Sequence, residues 1–473
     1  MEHAMGMEGL DAGELLPASR VELPEGRMAM VRTDLGLRLA VSGTLQDLFA
    51  GEPAGTARLC PLDHGNRLAL NQLLPWTKPT AFGACCASFG LGDRLGYANA
   101  AQLRSIRKAD VRPVLAQQSL RELQLTGRTL TDVVDNAAWA VFREGYREGY
   151  ACDGDHLKTL EEVQDALAEG ATMITLDGSL AMSRAGREQT GEETEAFRRQ
   201  NGESYSEFSR MEDLKGLGLY YTENLWNRLH AVYDPVVRLA WAVYWNGIVP
   251  AGRPVDLEIS LDETEQTTTP EAHFFVAHEL QRLGIAVTSM APRFVGEFQK
   301  AIDYIGDLEE LRTSLDMHAR IADRFGYKLS LHSGSEKFSV LPLLAQATGG
   351  RCHVKTSGTS WLEAVEVIAK HAPALYRRMH ARALVSIEEA RQFYEVHCDV
   401  SRIPPLESVS DAELPLYLTE NDSRQLMHIT YGYILKRAEL KWDILAFLDA
   451  NAAVYEAEIE DLYDRHLSAL ENR

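Results

Sequence analysis

Asp153-Gly154-Asp155-His156-Leu157-Lys158 gathers carboxylate, imidazole and ammonium groups directly after a short apolar run, Tyr150 to Cys152. Those residue types suit a divalent metal with a base beside it. Neutral imidazole and carboxylate are metal ligands, and an adjacent carboxylate can move a proton while the cation stabilises an enolate or alkoxide. The plain structural alternative is a helix-capping Asp next to an exposed His. His332-Ser333-Gly334-Ser335 offers the partner: a His at the end of another apolar run, followed by small residues whose backbone N–H groups could hold an oxyanion or carboxylate.

A third cluster, Glu258-Ile259-Ser260-Leu261-Asp262-Glu263-Thr264, surrounds a further run with acids, and alternation points Glu258, Ser260 and Asp262 to one face. Lys355-Thr356-Ser357-Gly358-Thr359-Ser360 precedes an amphipathic helix from Trp361, so Lys355 and several backbone donors converge where a carboxylate could bind. Arg94, Arg293 and Lys337 are further cations at run ends, each also able to pair with a neighbouring acid. His353 lies inside the last run and is as well suited to the core. Other resemblances fail: Gly90-x-Gly92-x-x-x-Gly96 is one residue too long for a dinucleotide fingerprint, and His278-Glu279 meets Arg282 where a zincin requires His.

These clusters need a scaffold that brings run ends together. From residue 80 to about 356 the runs are Ala81 to Ser88, Val111 to Ala116, Tyr150 to Cys152, Met173 to Leu176, Val255 to Ile259, Ala286 to Met290, Tyr327 to Leu331 and Cys352 to Lys355. Helical patterns separate them, and eight βα units with ionisable groups concentrated at the strand ends predict a (β/α)8 TIM-type barrel with its site at the carboxyl ends. A doubly wound sheet gives the same alternation and is the architectural alternative.

The expected organisation is an N-terminal cap over 1–79, a barrel over 80–360 with a helical insertion at about 180–250, and a C-terminal helical extension over 361–473. Within the insertion, Leu225, Leu229, Val232, Val236, Leu239 and Val243 keep the spacing of a buried helix face. The segment Arg27 to Val41 alternates as a small antiparallel unit would.

Composition narrows the partners. With 45% apolar and 25% charged residues the 473-residue chain is globular, and a net charge of -21 argues against an extended nucleic-acid surface. No apolar run approaches the ~20 residues that span a bilayer, and the start lacks a signal pattern, so a cytoplasmic protein is expected. Six scattered cysteines form no C-x-x-C pair and read as reduced thiols; a homo-oligomer stays open.

The chain resembles the tagaturonate epimerase family from about Ala81 to Tyr433. The resemblance rests on Gly90-Leu91-Gly92-Asp93-Arg94-Leu95-Gly96, Asp153 to Lys158, Ser260 to Thr264, Leu331 to Ser335, Lys355 to Thr359, and Arg424-Gln425-x-x-His428-Ile429-Thr430-Tyr431-Gly432. It implies a barrel, a divalent metal and a small hexuronate substrate. It also implies Glu263 as the acidic metal ligand beside His156 and His332, and Arg424, Gln425, His428 and Tyr431 as residues closing the site. Zn, Mn, Ni, Co and Fe are equally compatible with such ligands.

More remotely, Asp155-His156 and His332-Ser333-Gly334-Ser335 resemble pieces of class II metal-dependent aldolases. Tagaturonate and fructuronate differ at the carbinol carbon β to the ketone, whose hydrogen that ketone does not acidify. Simple enolisation therefore cannot invert it, and a retro-aldol step is expected. In that scheme a metal on His156, Glu263 and His332 polarises the ketone, Asp155 accepts the hydroxyl proton, and Lys158 or Tyr431 helps return it. Arg94, Arg293, Ser333, Gly334, Lys337, Lys355, Ser357, Gly358, Thr359, Arg424, Gln425 and His428 are the expected substrate contacts. The alternatives are an aldolase that releases its fragments and a catalytically silent barrel that binds sugar acids.

Overall fold

The computed structural model describes residues 14–34, 36–184, 191–263, 266–394 and 396–471. Eight parallel strands close into a barrel: β7 (Ser88–Leu91), β8 (Arg112–Ser119), β9 (Ala151–Leu157), β10 (Met173–Asp177), β11 (Asp256–Ser260), β12 (Ser289–Ala291), β13 (Lys328–Leu331) and β14 (Cys352–Thr356), with β14 paired back onto β7. Before them come six short strands: β1 (Glu14–Leu15), β2 (Val21–Leu23), β3 (Gly26–Thr33), β4 (Gly36–Ser42), β5 (Glu52–Ala54) and β6 (Ala57–Cys60). They form an antiparallel sheet in which Met28 faces Val41 across the expected hairpin. Its apolar face, with Met28, Met30, Leu39 and Val41, packs on Trp139 and Phe142 of the barrel helix Leu130–Glu144.

The period of two explains an unusual barrel interior. Ile174 and Leu176 of β10 face the helices, whereas Thr175 points inward and donates to the Asp153 carboxylate. Ser289 donates to Glu258 at 2.6 Å, Lys328 donates to Ser88 at 2.8 Å, and the Ser88 hydroxyl lies 2.9 Å from His353 Nδ1. The barrel is thus filled by a hydrogen-bonded polar network where most such barrels carry layers of aliphatic side chains. His353 belongs to that core, and burial pushes its pKa down to about 3.

Two strand boundaries differ from the sequence expectation. The run Ala81 to Ser88 is not the first strand: Gly83 has φ +71°, and the N–H groups of Phe82 and Gly83 are drawn onto the Asp256 carboxylate at 2.8 and 3.0 Å. The strand starts at Ser88, where the run ends. The second strand continues past Ala116 to Ser119, so Gln117 and Ser119 reach the mouth.

Between β10 and β11 lie the helices Ser179–Arg184, Gly191–Asn201, Tyr205–Phe208, Glu212–Leu217 and Glu223–Val243. The polar half of this segment falls partly outside the described residues. In the last helix the buried side is Trp226, Leu229, Val236, Ala240 and Val243; Val232, expected on that side, is 43% exposed.

The boundary expected at residue 360 falls inside the helix Thr359–His371. The final helix, Ala452–Glu471, returns to the barrel and packs against the helices Asn99–Ile106 and Leu341–Thr348. Tyr463 accepts from Gln102 at 3.0 Å, and Arg104 pairs with Glu456 and Glu460. Among the described residues no helix is long and apolar enough to cross a membrane.

Candidate active site

Asp153 and Asp155 lie within β9, and not after it, so strand alternation turns both carboxylates into the barrel. Simple alternation would then send His156 outward. A register shift places one extra residue of β9 against β10, and His156 adopts φ +56°, a left-handed backbone that costs a non-glycine residue about 1 kcal/mol or more. This bulge re-aims the imidazole into the mouth, as bulges beside active sites commonly do.

There the His156 and His332 ring centroids are 4.9 Å apart. His332, the residue after β13, bridges two acids: Nε2 lies 2.7 Å from Glu258 and Nδ1 lies 3.1 Å from Asp262. Burial works against its charge, but Asp262 and Glu258 lift its pKa to about 10. Glu258 is fully buried, yet Lys355 and His332 hold its pKa well below the usual carboxylate range.

His156, Asp262 and His332 each offer a donor atom, and these atoms lie within 4.8 Å of one another. His156 Nδ1 is buried without a hydrogen-bond partner. Two imidazoles and a carboxylate, one of them with an unsatisfied buried nitrogen, fit a divalent transition metal. Glu263, the acid expected beside both histidines, groups with His156 and Asp177 and not with His332. Its side chain is 36% exposed, 3.9 Å from Lys158. Leu261 and Asp262 follow the end of β11, so Asp262 stays on the inward side that Glu258 and Ser260 define, and Glu263 turns toward the rim. Thr264 lies outside the described residues.

Lys355 is also used differently from the expectation. Its ammonium is 2.7 Å from Asp153, 2.7 Å from Asp155 and 3.2 Å from Glu258, so three carboxylates neutralise it. Burial opposes ionisation of Asp155, but Lys355 and then His156 hold its pKa below the usual range, while burial raises that of Asp153. Lys158 pairs with Asp177 at 3.1 Å.

Arg94 is buried, paired with Glu122 at 2.7 Å and stacked 3.7 Å above the Tyr431 ring. Gly358 is required for this packing: it has φ +78°, and a Cβ there would come within 2.5 Å of the guanidinium. Ser357 lines the inner cavity with Asp155, His156, Asp262, His332 and Lys355. Arg293 lines the adjoining outer cavity of about 520 Å³, and Ser333 lines both.

Several expected substrate contacts stand behind the wall. Gly334 N–H donates to the Lys355 carbonyl, and Thr359 donates to Ser335. Lys337 is fully buried, donates to the Gln299, Ile302 and Ser335 carbonyls, and is pushed down to about 7 by burial. Arg424 donates to Ala301 and Leu418 carbonyls and pairs with Glu336, and Gln425 donates to Gln299. His428 is buried with neither ring nitrogen partnered, and its carbonyl accepts from Arg94. Tyr431 is buried, its hydroxyl 3.3 Å from that of Tyr394, and it is Tyr394 that lines the cavity.

Arg121, Lys300 and Tyr394 line both cavities and were not singled out from the sequence. Arg121 was discoverable once β8 is extended to Ser119, since it then follows a strand end. Lys300 and Tyr394 sit far from strand ends and carry no local signal.

A family model described as tagaturonate epimerase matches residues 36–470. The tagaturonate/fructuronate epimerase of Thermotoga maritima is 40% identical over 417 residues, covering 87% of this chain and 86% of that protein. A glycerol complex of the fructuronate-tagaturonate epimerase of Cohnella laeviribosi is similar in structure, with a TM-score of 0.89 at 44% identity over 97% of this chain and 96% of that one. The native form of the same enzyme gives 0.89 at 42% identity, covering 98% and 100%.

Proposed function

This chain belongs to the tagaturonate epimerase family, and from that premise we propose that it interconverts D-tagaturonate and D-fructuronate by breaking and remaking a carbon–carbon bond. The single observation supporting the chemistry is the convergence of His156 and His332, ring centroids 4.9 Å apart, with Asp262 and Asp155 at one cavity wall.

His156, His332 and Asp262 would hold the divalent metal, with Glu263 and Asp177 as the outlying acids of the same cluster. When bound, the metal supplies Lewis-acid stabilisation of negative charge developing on the substrate's ketone oxygen. Asp155 is the general base: it lines the cavity, and Lys355 at 2.7 Å keeps it ionised. It accepts the proton from the hydroxyl on the inverting carbon. The bond from that carbon to the carbon α to the ketone breaks, and its electron pair leaves with the keto fragment as an enediolate. The other fragment is an aldehyde, and its rotation presents the opposite face before the bond re-forms and Asp155 returns the proton.

Asp153 and Glu258, sharing Lys355 with Asp155, fix the ammonium so that Asp155 is oriented by a rigid partner. Lys158 is engaged by Asp177, and Tyr431 would reach substrate only through Tyr394, so Asp155 alone carries the proton both ways.

Incubating protein loaded with Zn, Mn, Co, Ni or Fe with fructuronate, and following tagaturonate by NMR, tests the reading. Conversion with at least one metal is expected; none with any of them would overturn it. Free aldehyde in excess of epimer would make the chain an aldolase instead.

A further inference from the structure

Four Lys and Arg side chains line the inner cavity: Arg94, Arg121, Lys300 and Lys355. Two are neutralised within the fold, Arg94 by Glu122 and Lys355 by three carboxylates. The others are not. Arg121 has a carboxylate only at 3.8 Å, the partly exposed Glu263; it donates to the Phe393 carbonyl at 3.0 Å and stacks 4.7 Å from the Tyr394 ring centre, while its Nε is buried without a partner. Lys300 donates to the Ser333 hydroxyl at 2.8 Å, and among the described residues no carboxylate lies within ion-pairing distance of it. Two poorly compensated cations on one wall, both shared with the outer cavity, define a place for an anion.

The backbone that carries Lys300 is held to an unusual degree. Each carbonyl from 299 to 302 accepts a side-chain hydrogen bond: Gln299 and Ile302 from Lys337, Lys300 from Gln425 and Ala301 from Arg424. Gln299 Oε1 accepts from Gln425 as well, and from the His397 N–H. Ala301 has φ +67°, a conformation that persists only where its surroundings enforce it. Lys337, Arg424 and Gln425, expected from sequence to touch substrate, instead converge on one short loop.

We propose that Lys300 and Arg121 bind the substrate's carboxylate and so select sugar acids over neutral ketoses, and that Lys337, Arg424 and Gln425 are positioning residues for Lys300. The inference rests on the epimerase reading for the identity of the anion. Burial and the neighbouring Arg121 both disfavour the Lys300 charge in the free protein, a cost that a bound carboxylate offsets.

The test compares Lys300→Met and Arg121→Gln with the parent chain on two substrates, fructuronate and the neutral ketohexose in which CH2OH replaces the carboxylate. Loss of one charge-assisted hydrogen bond is expected to raise KM for fructuronate about 10- to 100-fold with kcat nearly kept, while the ketohexose kinetics stay unchanged. Lys300→Arg should recover part of the loss. Equal effects on both substrates, or none on either, would overturn the proposal. Titration calorimetry with fructuronate separates this outcome from failure of the epimerase reading. If the parent chain binds fructuronate without converting it and Lys300→Met abolishes binding, the carboxylate site stands and the reaction falls; binding that Lys300→Met leaves unweakened ends the carboxylate site.

Discussion

The two halves of the cavity wall are built on opposite principles. The inner half, Asp155, His332 and Lys355 with the buried Asp153 and Glu258 behind them, comes from β9, β11 and β14 and the residue after β13, and each charge has its partner inside the barrel. The outer half, Arg121, Lys300 and Tyr394, comes from segments beyond the strands, and the loop bearing Lys300 is held by side chains as distant in sequence as Arg424 and Gln425. Groups that would handle the reacting bond are preorganised by the barrel's register, whereas groups that would recognise the rest of the substrate are held by a loop and its brace.

The contrast can be broken most severely at its centre. His332→Ala removes the imidazole shared by Glu258 and Asp262 and should lower turnover by about 10³-fold or more. Metal analysis of the purified variant should fall below one ion per chain; full retention would dissociate His332 from the metal. Asp155→Asn should cost about 10²- to 10⁴-fold in kcat while metal content persists, because an amide cannot accept the proton. Full activity in this variant would reassign the base.

The outer half should respond differently. Arg424→Met releases the Ala301 carbonyl, and KM for fructuronate should rise about 3- to 10-fold with kcat nearly unchanged, less than for Lys300→Met because the cation itself remains. A fall in kcat equal to the rise in KM would place Arg424 in the inner machinery instead.

The smallest effect lies beneath the brace. Glu363 is 6% exposed, and burial, with Glu366 and Glu336 adding to it, lifts its pKa to about 8. Glu336 pairs with Arg424, so ionising Glu363 adds charge under the loop support. A raised carboxyl pKa means that the folded state holds the proton more tightly than the unfolded chain. That contribution to stability is complete below about pH 4.5 and is lost as pH rises through about 8. Glu363→Gln should match the parent in thermal unfolding below about pH 4.5 and become progressively more stable than it as pH rises through about 8. A pH-independent difference would mean that Glu363 does not titrate in this window.

Much of the barrel was legible because its strands carry apolar outward positions in short runs separated by helical patterns, and ionisable residues gather at many of the run ends. The Arg27 to Val41 alternation likewise became a paired hairpin. The first strand begins later than the apolar run Ala81 to Ser88 predicts, because Asp256 captures the backbone N–H groups of Phe82 and Gly83. That capture involves a residue more than 170 positions away, which no local pattern contains.

By itself the sequence determined the eight βα units and the proximity of Asp155 to His156 and of His332 to a strand end, because these depend on side-chain period and nearest neighbours along one chain. Tertiary structure alone decided that Asp262 and not Glu263 joins both histidines, that Lys355 is consumed by three carboxylates, and that Lys337, Arg424 and Gln425 serve the loop bearing Lys300. The physical reason is common to all three. An ionisable group takes its role from the charges and hydrogen-bonding atoms around it, and barrel closure, the β9 bulge and the packing of the C-terminal helices bring those atoms in from distant parts of the chain.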